Sequence, residues 1–144
     1  MLRITISTVL LIALCACGST TGTPSGSDPL YEDLGGMQGI EGIVDEFLYS
    51  LAGNPLALPL FANTNITRFR EQFAIQLCDV AGGPCAYEGD SMAATHRGME
   101  ISHAQFNSVV SDLIDAMERS EVPTTAQNRL LARLAPMYGE IAGK

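Results

Sequence analysis

Histidines and cysteines are the side chains in this sequence that could hold a metal or act as nucleophiles. The two histidines, His96 and His103, lie seven positions apart with Gly98 between them. They therefore lack the spacing of about four residues that places two zinc ligands on one helix face. No CxxC, HExxH, nucleophile-elbow or glycine-rich phosphate-binding motif occurs in the sequence. Hydrolase chemistry therefore has no support.

His96 has the surroundings that most favour a functional role. It lies on a short predicted helix bounded by Gly89 and Gly98, opposite a longer predicted helix whose inner face carries Phe69 and Phe73. A lone histidine in an apolar setting is most often a structural residue. A flat apolar slot with one imidazole is also what a haem needs, because a proximal histidine can hold its iron. The residues alone leave both interpretations open.

The amino terminus predicts export and lipid attachment. One basic residue, Arg3, precedes an apolar run that is too short to cross a bilayer as a helix, and this is the pattern of a secretory signal. Cys17 ends a sequence that resembles a bacterial lipobox, and it fits better than Cys15 because the small residue Ala16 precedes it. We expect a signal peptide in residues 1–16 and a lipid on Cys17. An ordinary cleaved signal without lipid is the alternative.

The segment that follows the candidate cysteine predicts a linker. Residues 18–27 contain only Gly, Ser, Thr and Pro, so they offer no apolar surface to bury. Such a segment behaves as a flexible tether with a reach of roughly 18 Å. We therefore divide the chain into a signal peptide (1–16), a linker that begins at lipidated Cys17 (17–27) and a folded domain (28–144). Gly18, rather than an aspartate, follows Cys17, which favours the periplasmic face of the outer membrane in an organism with two membranes.

Two further cysteines lie close together in the folded domain. Cys78 and Cys85 stand on either side of Gly82-Gly83-Pro84. In an exported chain, an even number of cysteines at this proximity predicts a disulfide. The alternative is a pair of buried free thiols that pack as small apolar groups.

Length and charge narrow the function classes further. A chain of 144 residues is long enough for one domain. It carries 8 basic and 16 acidic residues, and the formal charge of −8 argues against nucleic acid as a partner, since that binding depends on Lys and Arg neutralising phosphates. With 47% hydrophobic and 17% charged residues, the chain is expected to fold.

The elements that must position these residues are predicted to be helices. Apolar residues recur at three- and four-residue spacing, and no run alternates cleanly in steps of two. Asp90 is the expected cap of the short helix that carries His96, and capping boxes are expected at Ser102 and Thr124. The expected segments are a short helix after Asp28, then helices over about 40–51, 66–80, 91–97, 102–117 and 124–141, with a single turn over 55–61. The sequence therefore predicts an all-α domain with four substantial helices.

Short motifs in a fixed order extend over residues 30–141. They are Leu30-Tyr31-Glu32-Asp33-Leu34-Gly35-Gly36, Ile40-Glu41, Phe61, Gly82-Gly83-Pro84, Tyr87-Glu88-Gly89, Met92-Ala93-Ala94-Thr95-His96-Arg97-Gly98-Met99-Glu100-Ile101, the spacing of Phe106, Val109, Val110 and Leu113, and Leu134-Ala135-Pro136. In this order they resemble the group 1 truncated haemoglobins. The resemblance covers nearly all of the folded domain and implies a truncated globin-like, two-over-two helical sandwich.

The resemblance implies haem b as the cofactor. It makes His96 the proximal ligand of the iron and places Phe61 against the haem face. The other positions that we assign to the pocket are Leu48, Phe69, Phe73, Tyr87, Met92, Ile101, Phe106 and Val110. The candidate partners of the haem propionates are Arg68, Arg70 and Arg97. Ordinary core packing and solvated helix charges are the alternatives for these residues. His103 matches no functional position and is expected at the surface.

The distal side departs from the family pattern. Members commonly place a tyrosine directly after the phenylalanine that matches Phe47, but here Leu48 follows it and Tyr49 comes one residue later. One residue is a turn of about 100° around a helix, so Tyr49 is expected to point away from the iron. Where many members have polar residues on the distal helix, this chain has Phe69 and Phe73. Gln72 and Gln76 are nearby and are expected on other faces. We therefore expect an apolar distal pocket that binds O₂ reversibly but less tightly than relatives with a distal tyrosine and glutamine do.

Three functions are compatible with these residues. The first is reversible binding of a diatomic gas (O₂, CO or NO) at haem iron. The second is haem-dependent oxidation of NO or a peroxidase-like activity. Such an enzyme would need a redox partner, because the sequence carries no flavin or nicotinamide motif, and the apolar distal wall offers no acid–base residue. The third is a cofactor-free helical adaptor lipoprotein in which His96 is structural. The sequence favours gas binding over catalysis.

Overall fold

The computed structural model describes residues 28–143, and all of the regular elements in that range are helical. The α-helices are α1 (Pro29–Asp33), α2 (Gly36–Ala52), α3 (Ile66–Val80), α4 (Met92–Thr95), α5 (His103–Arg119), α6 (Thr124–Leu134) and α7 (Tyr138–Ile141), with 3₁₀ turns at Leu58–Phe61 and Ala135–Met137. The predicted all-α fold is confirmed. The predictions of a signal peptide, of a lipid on Cys17 and of a linker fall outside the described residues.

Several helix limits follow from local hydrogen bonds that the sequence predicts. The side chain of Asp28 accepts a hydrogen bond from the Leu30 amide at 2.8 Å, so it caps α1, whose first residue is Pro29. Ser102 and Gln105 form both bonds of the predicted capping box at the start of α5. Between α1 and α2, Gly35 has a φ of 83°, which an L side chain rarely adopts.

Two of the predicted caps are wrong. Thr124 is the first residue of α6 and Pro123 is its N-cap, so no capping box forms there. The amide of Gln127 donates instead to the carbonyl of Val122 at 2.9 Å. At α4, the cap is Ser91 and not Asp90. Serine and aspartate cap helices about equally well, so adjacent residues of these types leave the boundary uncertain by one position.

The predicted last helix is divided in the structure. The run that we expected over 124–141 ends as α6 at Leu134, continues as a 3₁₀ turn and resumes as α7. Pro136 lies in the 3₁₀ turn. Since proline has no amide hydrogen to donate and its ring clashes with the preceding turn, it interrupts a helix at such a position.

Helix α2 is the centre of the fold. Its buried residues, among them Ile40, Val44 and Phe47, belong to one core cluster with residues of α3, α5 and α6. Helix α2 packs against both α5 and α3, whereas α3 and α5 make no substantial contact with each other. The two helices therefore both pack on α2 without packing closely on one another. Within residues 28–143, no helix is long and apolar enough to cross a membrane.

An ionic cluster ties the start of the domain to α6. The carboxylate of Asp28 accepts hydrogen bonds from Arg129 at 3.1 Å and Arg133 at 2.6 Å. The bond from the Leu30 amide, followed by the bond from Arg133, lowers the pKa of Asp28 below its ordinary value. The amide of Asp28 also donates to the carbonyl of Gly82. A Cβ at Gly82 would lie 2.5 Å from Cβ of Asp28, so this contact requires glycine.

A buried polar cluster fixes the chain where it leaves α2. The amide of Asn54 donates to Asp112 at 2.7 Å and to Ser108 at 2.6 Å, both on α5. Asp112 is only 7% exposed, and this burial raises its pKa, opposed in part by the bond from Asn54. The cluster holds the segment before the Leu58–Phe61 turn against α5.

Candidate functional site

His96 lies at the end of α4, one residue past the last helical position. The prediction that it lies within a helix over 91–97 is therefore wrong, because α4 ends at Thr95 and His96 is its C-cap. The Met92 carbonyl accepts two hydrogen bonds from His96, from the backbone amide at 3.0 Å and from Nδ1 at 2.8 Å. A carbonyl oxygen can only accept, so Nδ1 carries the proton.

This bond decides what His96 can do chemically. With the proton on Nδ1, the neutral imidazole has its free lone pair on Nε2. Among residues 28–143, no group bonds Nε2, and the side chain is half-buried. An imidazole oriented by a bond from Nδ1 to a carbonyl is the usual arrangement of a histidine that binds a metal. The geometry of His96 therefore fits a metal ligand.

Three contacts hold the short helix α4 in place. The hydroxyl of Ser91 accepts from the Ala94 amide at 3.2 Å, and the carboxylate of Glu140 on α7 accepts from the Ala93 amide at 3.2 Å. The amide of Gln76 on α3 lies 3.4 Å from the sulfur of Met92, so it joins α3 to α4. Sequence reasoning missed Glu140, since nothing local indicates a contact between residues 47 positions apart.

Four phenylalanines form an aromatic cluster on the α3 side. Phe69 lies 5.4 Å from Phe73 and 5.3 Å from Phe61 between ring centroids, and Phe73 lies 5.3 Å from Phe47 on α2. Phe47 is buried, whereas the other three are half-buried. Leu48, which follows Phe47, is half-buried as well. This cluster packs against the core on one side and keeps part of its apolar surface accessible on the other.

The polar residues near this cluster have other positions or partners. Tyr49 is 76% exposed, in agreement with the expectation that it points away. Gln76 was expected simply on another face, but its amide contacts the sulfurs of Met92 and Met137. Gln72 is half-buried and has no hydrogen-bond partner within the described range. The phenylalanines of the aromatic cluster and Leu48 carry no hydrogen-bond donor of their own.

The remaining pocket candidates lie on the α4–α5 side. Tyr87 packs so closely over Gly89 that a Cβ there would lie 2.4 Å from its ring, and its hydroxyl donates to the carbonyl of Asp90 at 3.2 Å. Phe106 makes an edge-to-face contact with Tyr138 at 4.8 Å. Ile101 is buried at 4% exposure. The half-buried members on this side are Tyr87, Met92, Phe106 and Val110.

The burial pattern of the candidates tests whether a flat apolar group fits. Eight of the nine candidate pocket residues are half-buried, and Ile101 is the exception. They come from α2, α3, α4, α5 and nearby segments, while α3 and α5 make no substantial contact. Partly accessible aromatic and aliphatic side chains such as these are what a ligand with an apolar ring system would cover. The residues present therefore fit a haem held by His96.

The three arginine candidates have different surroundings. Arg70 forms a two-point ion pair with Asp45 on α2, which lowers the pKa of Asp45 through the bond from the guanidinium and raises that of Arg70. The other paired arginines also have carboxylate partners: Arg119 pairs with Glu46, Arg129 with Asp28 and Asp33, and Arg133 with Asp28. Of the six arginines in residues 28–143, only Arg68 and Arg97 have no ion pair.

The two cysteines of the domain lie at bonding distance. Cys78 and Cys85 are joined as a disulfide, with their Cα atoms 5.8 Å apart. Cys78 is fully buried in the core at the end of α3. Gly83 lies against the bridge, since a Cβ there would be 2.7 Å from Sγ of Cys78 and 2.5 Å from the ring of Tyr31. The bridge therefore fixes the chain that leaves α3 and leads to α4.

His103 has surroundings unlike those of His96. It is exposed at the start of α5, and its ring stacks on Tyr138 with centroids 5.7 Å apart. Its Nδ1 shares a hydrogen bond with the Tyr138 hydroxyl. This agrees with the expectation of a surface residue.

Comparison with known proteins gives the family. The bacterial-like globin family matches residues 29–142. A group 1 truncated haemoglobin of Nostoc sp. (strain MUN 8820) is 31% identical over 115 residues, which are 80% of this chain and 98% of that protein. The solved truncated haemoglobin of Tetrahymena pyriformis in its Fe(III) form has a TM-score of 0.76 at 23% identity, covering 80% of this chain and 98% of that one. A 2/2 haemoglobin of Synechococcus sp. PCC 7002, solved with covalently attached haem, has a TM-score of 0.69 at 19% identity, covering 74% and 89%. The chain therefore belongs to the bacterial-like globin family and, within it, to the group 1 truncated haemoglobins.

Proposed function

We propose that this chain holds haem b through His96 and reversibly binds a diatomic gas such as O₂, CO or NO. The observation that carries the proposal is the state of the His96 ring: the Met92 carbonyl fixes the proton on Nδ1, and Nε2 has no partner among residues 28–143. The half-buried aromatic cluster and the apolar residues of the α4–α5 side support it, since they would bury the faces of the ring. Haem, when bound, supplies an iron that takes small diatomic gases.

The protein side chains would act on the cofactor in three ways. The bond from His96 Nδ1 to the Met92 carbonyl keeps Nε2 available and holds the imidazole plane in one orientation. Phe61, Phe69 and Phe73 exclude water from the distal side. Arg68 and Arg97, the arginines without an ion pair in the described part of the chain, are available for the propionates. Arg70 is engaged with Asp45 and is a weaker candidate.

The export prediction is part of this proposal. We propose that the globin is tethered outside the cytoplasm through lipid on Cys17, at the periplasmic face of the outer membrane. The sequence pattern of residues 1–27 supports this. The Cys78–Cys85 pair supports it too, because disulfides persist in oxidising compartments.

Titration of the purified protein with haemin tests the cofactor assignment. We expect an absorption band in the Soret region that saturates at one haem per chain and survives desalting. Urea-unfolded protein titrated in parallel is the control for haemin that adsorbs to apolar surface. Loss of the band on desalting would instead favour the cofactor-free adaptor.

Replacing Leu48 with tyrosine tests the apolar distal pocket. A hydroxyl at this position can donate a hydrogen bond to bound O₂, which carries partial negative charge, so we expect the O₂ dissociation rate constant to fall roughly tenfold in Leu48→Tyr. Stopped-flow displacement of O₂ by CO measures it. Leu48→Phe, which adds the ring without the hydroxyl, is the matched control and is expected to change the rate little. Equal rates for the two variants would contradict the assignment of Leu48 to the distal side.

A further inference from the structure

We propose that Glu140 is a positioning residue for the proximal histidine, acting through the peptide group that joins Met92 to Ala93. The inference rests on the proposed function, in which His96 binds the haem iron. Glu140 lies on α7, which contributes no candidate pocket residue. In this inference it influences how strongly the His96 imidazole donates electrons to the iron.

The geometry places three groups in one line of hydrogen bonds. The amide of Ala93 donates to Oε2 of Glu140 at 3.2 Å. The carbonyl of the same peptide group belongs to Met92 and accepts from Nδ1 of His96 at 2.8 Å. The two ends of one peptide group therefore join a carboxylate to the imidazole. The fold brings Glu140 and Ala93 together, because α7 packs against α4 as well as against the Ala135–Met137 turn that precedes α7.

The physical effect follows from the polarity of the peptide group. A carboxylate that accepts from the N–H polarises the peptide group and leaves more negative charge on its carbonyl oxygen. Hydrogen bonds in a chain therefore strengthen one another by about 10–30% each. The Met92 oxygen becomes a better acceptor for Nδ1–H. A stronger bond at Nδ1 makes Nε2 more basic, as carboxylate partners of metal-bound histidines do directly. The negative charge of Glu140 would therefore strengthen the bond from His96 to iron.

A second contact on α4 allows structural support of the helix to be separated from an effect of the Glu140 charge on His96. Gln76 contacts the sulfur of Met92 and so supports α4 without carrying charge. Glu140 is exposed, and its replacement by glutamine keeps an oxygen that can accept from Ala93. Glu140→Gln thus removes the charge while leaving the support in place, and Glu140→Ala removes both.

Resonance Raman spectra of the ferrous haem-loaded protein test the inference. We expect the iron–histidine stretching band of Glu140→Gln to shift to lower wavenumber, and that of Glu140→Ala to shift at least as far. Second-shell partners of metal-bound histidines contribute about 10–100-fold to metal affinity. Glu140 lies one hydrogen bond further out than such a partner and is exposed, so we expect a smaller effect, about a threefold faster transfer of haem to excess apomyoglobin. Glu118→Gln, an exposed carboxylate on α5, is the matched charge control and is expected to leave both readouts unchanged.

Two results would overturn the inference, and they are distinct from failure of the proposed function. If the iron–histidine band of Glu140→Gln stays at the wild-type position while His96 still holds the haem, the charge of Glu140 does not affect the iron–histidine bond. A shift in Glu140→Ala alone, matched by Gln76→Leu, shows that Glu140 only supports α4. If wild-type protein has no iron–histidine band, or if the band persists in His96→Gly, the assignment of His96 itself fails.

Discussion

Replacing His96 with glycine is expected to abolish stable haem retention, whereas replacing His103 with glycine leaves it unchanged. Nε2 of His96 has no partner within the described range and its side chain is half-buried, whereas His103 is exposed. Loss of a direct ligand should exceed the effect of second-shell changes, which reach about 100-fold in metal affinity. The sequence has no third histidine that could take over.

Haemin titration followed by desalting measures the difference between the two variants. Adding imidazole to His96→Gly should restore part of the Soret band, because a free imidazole can occupy the space that the side chain leaves. His103→Gly is the matched control, since it removes the same side chain from an exposed position against Tyr138. Haem that stays bound in His96→Gly without imidazole, or that is lost in His103→Gly, would contradict the assignment.

Breaking the Cys78–Cys85 disulfide is expected to lower the free energy of unfolding by roughly 2.5 kcal/mol, the value that the chain-entropy model gives for so small a loop. Urea unfolding of the wild-type protein with and without a reductant measures the loss directly. The double variant Cys78→Ala/Cys85→Ala should unfold at the same urea concentration in both conditions. It therefore controls for effects of the reductant on other groups.

The location of the bridge predicts where reduction acts. It connects the end of α3 to the chain that runs towards Ser91, the cap of α4. Hydrogen exchange should therefore increase first in residues 85–91 and in α4. Unchanged stability on reduction, or no mass gain of two hydrogens in the peptides that carry the two cysteines, would rule out a stabilising bridge.

Local sequence signals predicted most of the fold because they depend on neighbours a few residues apart. The predicted bounds of α3 agree with the structure, since Asn65 caps its start and Gly82-Gly83 follows its end. The same signals failed at Thr124, where a capping box matched by residue type does not form. Residue types that match a capping box supply its donors and acceptors. Whether those groups come within hydrogen-bond distance depends on the backbone path, which here enters α6 from Pro123.

Long-range contacts account for what the sequence could not predict at the site. The bond from Glu140 to Ala93 spans 47 positions, and that from Gln76 to Met92 spans 16. Neither has a local signature, because each depends on how α7 and α3 pack around α4. The assignment of His96 to haem came from the resemblance, and the tautomer that makes it credible came from the structure.

The ionic cluster at Asp28 determines how the domain bears a mechanical load. Whatever precedes Asp28 is attached where α1, α6 and the Gly82 carbonyl meet. Tension applied to the chain ahead of Asp28 would therefore act on the ion pairs with Arg129 and Arg133 and on the hydrogen bond to Gly82. Helix α4 packs against α7, at another part of the fold. A pull applied ahead of residue 28 would thus load the ion pairs and the Gly82 contact first, and it would reach α4 only through α6 and α7 or through the chain that follows Gly82.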